Sequence, residues 1–186
     1  MSQVTSKVPC YLATALFAVV LAASSAYAQT AVLLPDTSQT TLMTATVSEQ
    51  ARITVPAAVS FAVTNVGNST NASAANVAVD RIVLATATKQ LKISIQAAGS
   101  SFTAPVLGAV TWAAGDISWN APSWTRAAGA AGTLSASSFT QIATCDPDAP
   151  DCSTTGLVFT LGAKPSVQRA GNHTLVVTWK VESIGS

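Results

Sequence analysis

The strongest constraint on this chain lies near its C-terminus, where Leu175, Val177, Trp179 and Val181 alternate with Val176, Thr178, Lys180 and Glu182. Successive side chains of a strand point to opposite faces, so this run sets four apolar side chains on one face. Gly171-Asn172 ahead of it is a turn signal, and the run itself is rich in β-branched and aromatic types. Burying the four apolar side chains contributes roughly 6–12 kcal/mol before chain entropy is subtracted. The pattern predicts a central strand on which a sheet sandwich closes.

Similar patterns recur upstream. Residues 41–47 predict a first strand with Met43, Ala45 and Val47 on one face. Ile53 and Val55 follow, then Pro56, which forbids a central ladder position. Val59, Phe61 and Val63 alternate with Ser60, Ala62 and Thr64 as a second strand. Residues 77–85 alternate imperfectly, whereas residues 90–96 alternate cleanly, with Leu91, Ile93 and Ile95 inward and Lys92 and Ser94 toward water. Residues 106–112, 117–119 and 156–161 read as further strands, residues 133–143 fit no clean pattern, and residues 145–153 read as a loop. No segment shows amphipathic helical spacing. The fold expected is an immunoglobulin-like antiparallel β-sandwich of about seven to nine strands, with a closed barrel as the weaker alternative.

The first residues read as a secretory leader. Lys7 precedes an apolar run from Tyr11 to Ala23, and Ala26-Tyr27-Ala28 supplies a small-x-small cleavage pattern. The run is about a dozen residues, short of the roughly 20 that a bilayer span needs. The expected organisation is a signal peptide over residues 1–28, an extended arm over 29–40 interrupted by Pro35-Asp36, and a sandwich domain over 41–186. Export, periplasmic or to the cell surface, is the localisation this predicts.

The chain carries nine Lys and Arg against eight Asp and Glu, and loss of Lys7 with the leader makes it neutral. A neutral chain with few charges offers no electrostatic footprint for nucleic acid or an anionic membrane. Outside the leader no apolar run is long enough to predict a transmembrane segment.

Residues that could carry chemistry are few. Cys145 and Cys152 in an exported chain predict a disulfide, and closing so short a loop adds about 2.5 kcal/mol on the chain-entropy model. Asp146, Asp148 and Asp151 crowd the same loop and are weak candidates for Ca²⁺, although an exposed Asp- and Pro-rich turn is the commoner arrangement. No other cofactor is expected. His173 is the single histidine, so a Ser-His-Asp hydrolase would have to use it, yet no G-x-S-x-G elbow accompanies it. An exposed position at the start of a strand is its expected place. Trp179 alternates with core residues. Trp112, Trp119 and Trp124 form either a ligand surface that stacks on sugars or, as large aromatics more often do, a cap on the core. Asn68, Asn71 and Asn172 open Asn-x-Ser/Thr triplets on expected loops.

Three stretches carry a resemblance: the leader ending Ala26-Tyr27-Ala28, the entry from Thr54-Val55-Pro56 to Ser60-Phe61, and the close from Arg169-Ala170-Gly171-Asn172 to Trp179-Lys180-Val181-Glu182. Together they resemble small secreted bacterial β-sandwich proteins of the surface or pilin-like kind. The closing strand is similar to the distal segment of WxL cell-wall-binding domains, with Val181 where that motif has Leu. Chaperone–usher pilins are a second similarity. They donate an N-terminal arm to a neighbour's sheet, and residues 30–47 correspond to such an arm. The resemblance implies a non-enzymatic surface protein with a structural or adhesive role. Its partners would be other surface proteins, cell-wall material or itself. A carbohydrate-binding module using the three tryptophans is the alternative.

Overall fold

The computed structural model of this chain describes residues 40–185, so the leader and residues 29–39 of the arm lie outside the described residues. Residues Thr46–Ser186 form one compact unit. It is nearly all β. Eleven strands run in chain order as β1 (Gln50–Thr54), β2 (Thr70–Asn71), β3 (Ala75–Val83), β4 (Gln90–Ala97), β5 (Ile117–Trp119), β6 (Ala127–Gly129), β7 (Gly132–Thr133), β8 (Thr140–Cys145), β9 (Cys152–Leu157), β10 (Phe159–Leu161) and β11 (Val177–Ile184). A single 3₁₀ turn, Ala114–Asp116, leads into β5. The count exceeds the seven to nine expected because five strands are only two or three residues long. Among the described residues no helix is long and apolar enough to cross a membrane.

All ladders are antiparallel and group into three sheets, ordered β1-β3-β9, β2-β10-β5-β7 and β11-β4-β8-β6. The organising strand is β4. It pairs with β11 on one edge and β8 on the other, so its backbone groups are satisfied from both sides. Leu91, Ile93, Ile95 and Ala97 project from it into the core. Ile142 of β8, Val77 and Val79 of β3, Leu157 of β9, and Phe159 and Leu161 of β10 join that core.

The C-terminal run therefore takes a different place from the one its pattern predicts. Among the described residues it forms an edge strand, not a central one, paired only with β4 over Val177 to Ile184. Its apolar row is half-buried and not enclosed. Ser94 departs in the other direction: expected to face water, it is 1% exposed. It lies in register between Lys180 of β11 and Gln141 of β8.

The imperfect alternation over residues 77–85 has a local cause. Arg81 adopts φ +53°, and the β1–β3 register slips beside it, between the Gln50–Val83 and Arg52–Asp80 pairs. An extra residue in one strand inverts the facing of everything after it, which is what a β-bulge does to a period-two pattern. The run at residues 156–161 is split at Val158. β9 ends in the first sheet, and β10 begins in the second one residue later. Residues 106–112 form a loop instead of a strand, and residues 41–47 belong to no ladder.

β8 and β9 meet at the Cys145–Cys152 disulfide, whose Cα atoms are 5.8 Å apart. Arg126 donates from Nη1 to both oxygens of Asp151 at 2.8 Å across the same turn. Replacing both cysteines by Ser should lower the unfolding free energy by about 2.5 kcal/mol, read from denaturant melts. Gly132 is a tighter test of packing. A Cβ there would lie 2.4 Å from Cζ2 of Trp119, whose Nε1 donates to the Ala130 carbonyl at 2.9 Å. Gly132→Ala should cost about 1–3 kcal/mol, the usual penalty for overfilling a core.

Candidate functional site: an unfilled groove beside the last strand

The principal concavity is a groove of about 900 Å³. One wall is β11 and the turn before it, with Leu175, Val177 and Trp179 facing in. The opposite wall is the segment 56–63, whose Val59, Phe61 and Val63 face in. Its floor includes Ile95 of β4, Phe102, Trp112 and Phe159 of β10. Those floor residues are buried, while Phe61, Val63, Leu175, Val177 and Trp179 are only half-buried.

Backbone pairing makes the groove unusual. β11 spans eight residues without Pro or Gly, and among the described residues its edge away from β4 carries no ladder. Segment 56–63 was expected to form a strand from its alternation, yet it enters no ladder either. A second void of about 450 Å³ is lined by Thr54, Val55, Pro56, Ala58, Val59 and Ser60 and by residues 73–76. Among the described residues, neither this segment nor the outer edge of β11 has a ladder partner. Exposed edges of this kind are normally shortened, charged or covered.

Both ends of that segment are fixed. On the β1 side, Arg52 Nε donates to Asp80 at 2.7 Å, and Glu49 Oε1 accepts from Lys89 Nζ and the Ala85 backbone N–H, each at 2.8 Å. On the far side, the Lys164 backbone N–H donates to the Val66 carbonyl at 2.6 Å, and Lys164 Nζ donates to Asp116 Oδ2 at 2.7 Å. Burial pushes the Asp116 carboxyl up, but Lys164 and the Ala113 N–H outweigh it and leave the group below its ordinary range. The hydrogen bond from Lys89, with help from Ala85, lowers Glu49 likewise. The middle of the segment is thus slung between two anchored ends.

His173 lies at the groove wall and is better held than its expected exposed position implied. Thr111 Oγ1 is 2.7 Å from Nδ1, and Nε2 lies 3.1 Å from the Arg169 carbonyl. Donation from Nε2 to that carbonyl leaves Nδ1 to accept from the Thr111 hydroxyl. The ring packs edge-on against Trp112, with centroids 5.1 Å apart. Both nitrogens are engaged in holding the turn before β11, and among the described residues no carboxylate is bonded to the ring.

Of the two readings of the three tryptophans, burial of Trp112 and Trp119 agrees with the cap on the core. Trp112 and Trp119 are buried, and their indole N–H groups donate to the carbonyls of Gly162 and Ala130, each at 2.9 Å. Trp124 is half-buried, with Nε1 enclosed and unpartnered. Indole faces spent in the core cannot stack on a sugar. The acidic loop does not gather either. Asp151 is committed to Arg126, and among the described residues no group of three His, Cys, Asp or Glu side chains is placed to hold a metal ion. Nothing therefore supports the calcium reading of Asp146, Asp148 and Asp151.

No family model, no curated protein and no solved structure matches this chain. The groove must be read from its own geometry. Sequence reasoning named Trp179 as core and Phe61 as a strand residue but did not join them as opposing walls. The available signal was limited to the two alternating runs themselves, residues 59–63 and 175–181, and nothing in the sequence sets them opposite each other.

The depressed carboxyls make the segment's anchors acid-sensitive. A folded pKa below the unfolded one contributes stability at neutral pH, and that stability is lost as pH falls through the folded value. Asp116→Asn should lower the melting temperature at pH 7, converge with wild type as pH falls through the lowered folded value, and so flatten the acid limb of the stability profile.

Proposed function

We propose that this chain is an exported, non-enzymatic structural or adhesive protein that works by accepting a strand from a neighbour. The observation that carries the reading is the groove between β11 and segment 56–63, lined by Phe61, Val63, Leu175, Val177 and Trp179 and bordered by backbone that, among the described residues, enters no ladder. Addition of an extended peptide to a sheet edge gains main-chain hydrogen bonds for affinity, and side-chain pockets give specificity. The leader pattern with Ala26-Tyr27-Ala28 and the Cys145–Cys152 disulfide support an oxidising compartment outside the cytoplasm.

The occupant proposed is residues 41–47 of a second copy. That stretch has strand alternation, yet it is in no sheet, and Leu42, Met43 and Val47 are exposed. It is seven residues long, the same length as the run from Leu175 to Val181 that it would lie beside. At about 3.3 Å per residue it would cover roughly 23 Å of edge. Each copy then has one strand without a sheet and one sheet without a strand. This is the arrangement that the similarity to chaperone–usher pilins implies, reached here from the groove. Head-to-tail joining of this kind yields chains of subunits, or rings where the rotation closes. The burial of Trp112 and Trp119 weighs against the carbohydrate-binding alternative.

The protein beginning at Gln29 should form concentration-dependent oligomers on size-exclusion chromatography with light scattering, and Met43→Asp should leave it monomeric. A synthetic peptide of residues 40–48 added to the Met43→Asp protein should raise its melting temperature. At a hundredfold excess over Kd the stabilisation is about 2.7 kcal/mol, a shift of several degrees. A strictly monomeric wild-type protein with no response to the peptide would sink the reading.

A further inference from the structure

The arm joins the domain beside one end of β11. Glu49, just past the donor stretch 41–47, accepts from Lys89 Nζ at 2.8 Å. Lys89 precedes Gln90, which pairs with Ile184 in the last position of the β4–β11 ladder. A Cβ on Gly185 would lie 3.8 Å from Cα of Lys89, so the root of the arm and the C-terminal end of β11 meet at one residue.

That root position ties the direction of the donated strand to the assembly it builds. A strand running parallel to the partner's β11 brings the two roots together at the C-terminal ends of the two β11 strands. Each copy then reaches the other's groove, and the exchange is reciprocal and closes at two. A strand running antiparallel brings the root of one copy to the start of the next copy's β11, and the copies string out head to tail.

Parity permits both directions, since Met43, Ala45 and Val47 fall opposite the apolar row of β11 either way. Size separates them. A parallel strand with Thr41 beside Leu175 sets Met43 beside Val177 and Ala45 beside Trp179. An antiparallel one sets Met43 beside Trp179 and Ala45 beside Val177, crowding one position and underfilling the other. Facing large against small packs a layer evenly.

Charge selects the same direction. Arg169 lines the groove on the turn before β11 and has no ion-pair partner among the described residues. The donor stretch is uncharged, and the carboxylates flanking it are Asp36 and Glu49. Glu49 is spent on Lys89, which leaves Asp36. In the parallel register Asp36 comes level with Ala170, next to Arg169. In the antiparallel one it is carried toward the end of β11 that holds Glu182.

We infer that the arm enters its partner's groove parallel to β11, with Ala45 beside Trp179 and Asp36 against Arg169, in a reciprocal exchange that closes as a dimer. This rests on the strand acceptance proposed for the groove and adds its direction, register and stoichiometry.

Two cysteine pairs read the direction in the protein beginning at Gln29, whose native cysteines are joined to each other. A parallel strand sets Leu42 beside Val176, and an antiparallel one sets it beside Lys180. All three positions are exposed, so the substitutions leave the core untouched. Leu42→Cys with Val176→Cys should form an intermolecular disulfide under mild oxidation, read as a dimer band on a non-reducing gel. Leu42→Cys with Lys180→Cys should form none. Light scattering of the wild type should plateau at the mass of a dimer. Arg169→Asp should weaken the dimer at least about fivefold, and Asp36→Arg in the same chain should restore it. Cross-linking through Lys180→Cys in place of Val176→Cys, or a mass that climbs past the dimer with concentration, overturns the parallel exchange but leaves the groove filled by the arm, so strand acceptance survives. A disulfide formed only within one chain overturns exchange between copies. A monomer that cross-links in neither pair overturns both readings. Arg169→Asp that dimerises as tightly as wild type overturns the pairing with Asp36.

Discussion

Two-sided pairing of β4 is the constraint on which the rest of the molecule depends. A strand whose peptide groups are satisfied on both edges can bury its side chains without orphaned donors, and Leu91, Ile93 and Ile95 are accordingly among the least exposed residues of the chain. The other two sheets pack their own apolar faces onto that layer. β11 enjoys half of this arrangement. It is paired with β4 along its length and, among the described residues, with no strand on its other side, and its apolar row is half-buried.

Much of the fold was legible because period-two alternation reports which side chains share a face. Leu91, Ile93 and Ile95 were read correctly, as were the all-β class, the strand over residues 117–119 and the disulfide. Alternation says nothing about edges. Whether a strand has one neighbour or two depends on distant segments, which is why β11 looked central and why Val59, Phe61 and Val63 looked like members of a ladder. The same blindness hid the site. Its walls were visible as two alternating runs, but the space between them is a property of the tertiary arrangement.

Local backbone geometry explains other differences. Arg81 in the left-handed region offsets β3 against β1, and no residue type there announces it, since such conformations favour Gly or Asn. The apolar composition of residues 106–112 suggested a strand, but Gly108 turns the chain at its middle and exposes Leu107. For the tryptophans, composition fixed neither outcome. An indole is equally suited to stacking on a ligand and to filling a core, and only the carbonyls of Gly162 and Ala130 decide for Trp112 and Trp119.

The junction at Val158 has a mechanical meaning. A single residue separates Leu157, paired to Ala75 in the first sheet, from Phe159, paired to Trp119 in the second. Two layers stitched by so short a tether cannot glide past each other by even one ladder step without tearing hydrogen bonds at both ends. Phe159 and Leu161, carried on the far side of the stitch, line the floor of the groove. The width of that channel is therefore gauged by covalent geometry as well as by packing, and a load applied along it would meet a stiff frame and not a sliding one.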